Sequence, residues 1–173
     1  SRDREYRLMP ALRRKRIYIA GGGSGGMEYA ITAHQRGHDV TLFEASGQLG
    51  GAMAWAGNYQ TLPNMEQIAY QPDWHKLMVA KLGIAVRLYE PLTREIVLTD
   101  RPDVVVVATG AKPALPAADG LDAALASGFA RTIDRVLGEG PSTLPEGNVV
   151  VWGAGEGIEL ALDLAQAGRS VRL

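Results

Sequence analysis

The chain has 173 residues, 46% of them apolar and 21% charged, with a formal net charge of −1. This is enough apolar material for the core of one domain, or of one domain and part of a second, and the near-zero charge argues against nucleic acid or an anionic membrane as a partner. The absence of cysteine excludes disulfides, thiolate nucleophiles and cysteine-ligated zinc or iron–sulfur clusters within the chain.

Residues 1–15 read as a polar linker or tail. The basic run from Arg13 to Arg16 is a solvated approach to the first strand rather than an anion patch. With no apolar h-region near the start and no run of the ~18–20 apolar residues a bilayer span requires, the expected compartment is the cytoplasm. Ile17 to Ala20 is a short apolar run that stops at glycines, as a buried strand does. Met27, Ala30, Ile31 and His34 then follow helical spacing, and Gly37 is placed to end that helix. Val40 to Phe43 is a second strand, closed by Glu44. Strand, glycine turn, helix and strand make a βαβ unit.

Residues 45–72 are rich in Gly, Ala, Asn and Gln and predict a long loop. Asp73, after Pro72, is positioned to cap a helix whose apolar face is Trp74, Leu77, Met78 and Leu82, with Gly83 as its stop. Ala85 to Leu88 and Val104 to Val107 predict strands. The second is an uninterrupted β-branched run, as expected of a strand covered on both faces. Residues 111–128 read as a connector and Ala130 to Leu137 as a short helix. Val149 to Trp152 starts a new strand, followed by a glycine turn, a helix to about Ala167 and a strand at 171–173.

Gly21-Gly22-Gly23-Ser24-Gly25-Gly26 holds G-x-G-x-x-G with Gly21, Gly23 and Gly26 in the key places. Gly21 permits a tight turn, Gly23 lets backbone approach a pyrophosphate, and Gly26 lets the helix pack close to the sheet. The helix N-terminus offers unpaired N–H groups to the phosphates. Ser24 is suited to hydrogen-bond a phosphate, not to attack a substrate. Glu44 lies 18 residues beyond Gly26, where a carboxylate accepts from the ribose hydroxyls of an adenosine and repels a 2′-phosphate. It has no evident proton-transfer partner, so no catalytic residue is assigned.

The chain also repeats itself. Laid over Gly157–Leu173, Gly26–Leu42 coincides at seven of seventeen positions. The second loop, Gly153-Ala154-Gly155-Glu156-Gly157, is one residue shorter, and Glu156 puts a negative charge where a pyrophosphate would sit. A degenerate structural repeat is favoured over a competent NAD(P) site at Gly153, Gly155 and Gly157. His34, His38 and His75 stand at no metal-ligand spacing. Trp74 and Trp152 fit core positions, and Trp55, in the long loop, is the better stacking candidate.

Three ordered stretches resemble the flavin domain of two-dinucleotide-binding flavoproteins: Arg16 to Glu44, then Leu49-Gly50-Gly51, then VVVVATGAKP at 104–113. The likeness extends to the C-terminal region of old yellow enzyme-like oxidoreductases, the group of 2,4-dienoyl-CoA reductase and trimethylamine dehydrogenase. The resemblance implies an α/β, Rossmann-like, doubly wound parallel sheet. It implies FAD, or ADP alone, on the first loop, with Gly21, Gly23, Ser24, Gly25, Gly26, Glu44, Ala45, Gln48, Gly50, Gly51, Ala108, Thr109 and Gly110 around it, and NAD(P)H on the second loop. It also implies a preceding TIM barrel with FMN and a 4Fe–4S cluster, to which nothing here corresponds, so the chain reads as a piece of a larger enzyme. The domains expected are 16–117 for FAD or ADP, a connector at 118–147 and an incomplete βαβ unit at 148–173. Gln48 departs from a frequent arginine and Ala52 from a frequent polar residue, and the returning segment that completes the flavin-ring side is missing. The ADP half of the site is thus better specified than the ring half, and a non-catalytic ADP-binding docking module is the alternative reading.

Overall fold

The computed structural model describes residues 7–173, and its chain divides into two compact units. The first comprises the chain up to Ala54 and Tyr70–Gly110; the second comprises Trp55–Ala69 and Ala111–Leu173.

The first unit is a four-stranded parallel sheet with order β3-β2-β1-β4, formed by β1 (Arg16–Ala20), β2 (Asp39–Glu44), β3 (Ala85–Leu88) and β4 (Val104–Val107). The pairings put Ile17 beside Val40 and Val104, and Thr41 beside Ala85. The chain therefore steps outward from β1 to β3, then returns to β1's other side. That reversal between β1 and β4 is the switch point at whose carboxyl end doubly wound sheets bind ligands. Helix α1 (Ser24–Gln35) joins β1 to β2 and buries Gly26, Met27, Ala30, Ile31 and Ala33. This face meets Ile17, Ile19, Val40 and Leu42 in the core. Gly37, at φ +92°, ends the helix as its position predicts, donating its N–H to the His34 carbonyl at 2.8 Å.

Helix α2 (Glu66–Lys81) starts earlier than the Pro72-Asp73 pair predicts. Pro72 sits inside it, and Asp73 pairs with Lys76 at 3.2 Å instead of capping. Proline removes one helical hydrogen bond, but here the ring is fully buried, so packing carries the helix through it. The buried face is Pro72, His75 and Val79, one step round from the predicted one; Trp74 and Leu77 remain 49% and 63% exposed. His75 is held there by Glu28 of α1, whose carboxylate lies 3.0 Å from Nε2. Helix α3 (Arg94–Asp100), which the sequence does not announce, is capped by the Thr93 hydroxyl. Strand β4 is an edge strand. Val104 and Val106 pack on the core while Val105 and Val107 stay exposed, so its apolar run is not covered on both faces in this chain.

The second unit pairs β5 (Val149–Val150) with β6 (Val171–Arg172) in parallel through α6 (Glu156–Gln166). Helices α4 (Leu121–Ser127) and α5 (Ile133–Glu139) precede them. Val136, Leu137, Leu160 and Leu164 form its core, and Trp55 packs against them, which gives that indole a structural role. Trp152 is 72% exposed, contrary to the core position its strand suggests. Asp163 ties the segment after Trp55 to α6. It is wholly buried and accepts from the Gln60 and Thr61 amides at 3.1 and 2.6 Å and from the Thr61 hydroxyl at 2.8 Å. Among the described residues, no helix is long and apolar enough to cross a membrane.

Candidate functional site

The glycine loop turns from the end of β1 into α1. Gly21 has φ +105°, and a Cβ there would overlap the Ala108 carbonyl. A Cβ on Gly26 would overlap the Gly21 carbonyl oxygen. Both glycines are demanded by backbone packed on backbone, as their motif positions require. Gly21 N–H donates to the Phe43 carbonyl and Ala108 N–H to the Ala20 carbonyl, each at 2.8 Å, so the loop is clamped between β2 and β4.

Gly23 and Gly25 differ. Neither has a positive φ. A Cβ on Gly23 would meet only the Gly51 Cα, at an ordinary 3.8 Å, and one on Gly25 would meet nothing within 4 Å. The fold supplies no reason for glycine at either place. The space a side chain would fill is open, and it lies at the first turn of α1. That end carries no side-chain cap and no acidic residue, and helix ends leave their first N–H groups without intrahelical partners. The Ser24 hydroxyl oxygen beside it is buried and has no hydrogen-bond partner. A buried hydroxyl left in this way is costly, and an anion against the helix end would satisfy it.

Leu49-Gly50-Gly51 folds back on the loop. Gly50 N–H donates to the Gly22 carbonyl at 2.9 Å, and a Cβ on Gly51 would stand 2.9 Å from the Gly23 Cα. Glu44 joins both segments: Oε2 accepts from Gly22 N–H and Oε1 from Ser46 N–H, each at 2.7 Å. Partial burial pushes its carboxyl up, but the hydrogen bonds from Ser46 and Gly22 outweigh this and hold it below the usual carboxylate value. Gly22 escaped the motif reading. Its only signal was a glycine at a free position, where a Cβ would strike the Leu49 side chain. Ala45, Gln48, Thr109 and Gly110 are exposed on the same carboxyl-end rim of the first unit. Gly110 takes φ +71°.

Because the folded Glu44 carboxyl titrates below the unfolded one, its contribution is complete above the ordinary value of 4.5 and lost as pH falls through the folded value. The expected result is that Glu44→Gln destabilises the first unit at neutral pH and that the difference shrinks at an acidic pH below the ordinary carboxylate value. Denaturant titrations at the two pH values check this; an equal difference at both would refute it.

Gly153, Gly155 and Gly157 belong to the second unit, at the turn into α6. There Gly153 has φ +147° and Gly155 φ +60° with ψ −122°, so backbone conformation alone accounts for those two. Glu156 and Glu159 occupy the first turn of α6, in contrast to the uncharged start of α1.

The sequence matches the FAD binding domain family over residues 17–105. It is 41% identical over 102 residues to N,N-dimethylglycine/sarcosine dehydrogenase of Chromohalobacter salexigens, an alignment covering 59% of this chain and 14% of the relative. It is 31% identical over 172 residues to cinnamate reductase of Clostridium sporogenes, covering 99% of this chain and 24% of the relative. Among solved structures, 2-naphthoyl-CoA reductase in complex with 2-naphthoyl-CoA superposes with TM-score 0.80 at 30% identity, covering 98% of this chain and 24% of that one. The chain thus spans a quarter or less of these relatives' lengths. A Rossmann-like parallel sheet, an uncapped glycine loop at its switch point and a family match across most of the first unit agree: the chain belongs to the FAD binding domain family of flavin-dependent oxidoreductases.

Proposed function

We propose that the first unit holds FAD by its ADP half, as the flavin-carrying part of a larger cytoplasmic oxidoreductase that moves electrons from NAD(P)H toward a TIM-barrel domain bearing FMN and a 4Fe–4S cluster. The observation that carries the reading is the open space at Gly23 and Gly25 beside the unpartnered Ser24 hydroxyl. The first-turn amides of α1 and Ser24 bind the pyrophosphate, and Gly50 and Gly51 support the loop from behind. Glu44, anchored through one lone pair on each oxygen, presents the remaining lone pairs to the ribose hydroxyls. Ala108, Thr109 and Gly110 lie along the path toward the flavin. When bound, FAD supplies the electron-carrying chemistry, and this chain supplies binding and orientation. Reconstitution with FAD followed by a visible spectrum of the washed protein tests it; absence of bound flavin at micromolar FAD would reject it.

A second reading is an ADP-holding module without a flavin role. It is favoured by Gln48, exposed and uncharged where a cation would add a charge-assisted phosphate contact. Calorimetry separates the two: ADP binding as tightly as FAD supports the module, and a strong preference for FAD supports the flavoprotein. The glutamates in the first turn of α6 place negative charge where a dinucleotide phosphate would sit, which disfavours NAD(P)H at this stretch of the second unit.

A further inference from the structure

We infer that Tyr89 is the aromatic wall on which the purine of the bound adenine nucleotide stacks, a role that rests on the glycine loop taking the pyrophosphate. Tyr89 directly follows β3 and adopts φ +57°, a left-handed conformation that is unfavourable for an aromatic residue. Its N–H donates to the Ser46 carbonyl at 3.0 Å, which fixes it there. The phenol ring lies on Gly47: a Cβ at that position would overlap its oxygen and Cζ. Gly47 has no positive φ, and its missing side chain leaves room for the tip of the ring to lie there. Yet Tyr89 is 79% exposed. A strained backbone pinned to Ser46 therefore holds a flat side chain that buries little of itself, and core stability does not explain the arrangement. Strain of this kind gathers where a ligand is clamped.

Strand order says which part of the ligand reaches it. Along the carboxyl ends run β1, β2 and β3 in that sequence. The pyrophosphate sits over the end of β1, and the ribose over Glu44 at the end of β2. The base is next in the nucleotide, and β3 is the next strand, about 4.8 Å on. The first residue beyond β3 is Tyr89, and Glu90 N–H donates to the Glu44 carbonyl at 3.0 Å, tying the two rims together. Stacking needs a rigid, exposed π-face and no hydrogen-bond code.

Calorimetry of the whole chain with ADP and with UDP tests this, because the two share ribose and diphosphate and differ in the base. Wild type is expected to prefer ADP. Tyr89→Asn, which suits the left-handed backbone, is expected to lose ADP affinity roughly tenfold, to lose less for UDP, and to keep its melting temperature. Tyr89→Phe is expected to behave as wild type. An unchanged ADP/UDP preference in Tyr89→Asn overturns the assignment, as does an equal loss for both nucleotides, which would mark a distorted loop. Wild type that binds neither nucleotide overturns the glycine-loop reading along with it.

Discussion

Gly23→Val is expected to weaken ADP and FAD binding at least a hundredfold, about 3 kcal/mol, while the protein melts within a few degrees of wild type. The backbone at Gly23 is extended, at φ −72° and ψ 179°, which valine adopts readily. A Cβ there stands 3.8 Å from its nearest neighbour outside the adjoining residues, so the fold has room for it. The branched side chain would instead occupy the space proposed for the pyrophosphate and screen the first-turn amides of α1. Gly26→Ala is the opposite control. Its Cβ would run into the Gly21 carbonyl, which is main chain and clamped between strands. Overpacking of that kind costs about 3 kcal/mol, so this variant is expected to lose stability first and binding as a consequence. Calorimetry and thermal melts on the pair separate ligand space from packing space. Full ADP affinity in Gly23→Val would remove the loop from the binding site.

Asp163→Ala is expected to destabilise the second unit by about 3 kcal/mol, since it removes the part-buried acceptor of the Gln60 and Thr61 amides, while the Thr61 hydroxyl keeps Gln166 Oε1 at 3.0 Å. Hydrogen exchange reads this locally: the Gln60 and Thr61 amides should exchange roughly a hundredfold faster. Asp163→Asn keeps one acceptor oxygen and should fall between the two. Unchanged protection in Asp163→Ala would show that the segment after Trp55 is held by its apolar contacts alone.

What was legible in the amino-acid order was local in origin. The strand at Ile17–Ala20, the loop at Gly21–Gly26, the helix with Met27, Ala30 and Ile31 inward and the strand ending at Glu44 all follow from short-range periodicity and glycine stereochemistry. The family likeness rests on that stretch together with Leu49-Gly50-Gly51 and residues 104–113. Short-range rules failed where distant packing outvoted them. Proline statistics stop a helix at Pro72, but burial of that ring extends α2 back to Glu66. Trp74 and Trp152 read as core because they are large and apolar, yet each lies on a surface that its own unit leaves uncovered.

The sequence by itself determined a βαβ unit with its glycine turn and the glutamate that closes its second strand, because these are written in contiguous residues with fixed stereochemical demands. Only the tertiary structure decided which glycines the fold requires and which face open space. It also revealed the Gly22–Glu44 bond and the seat of Tyr89 on Gly47. Those distinctions depend on which atoms from remote segments stand beside a missing Cβ, and a linear pattern carries no record of such neighbours.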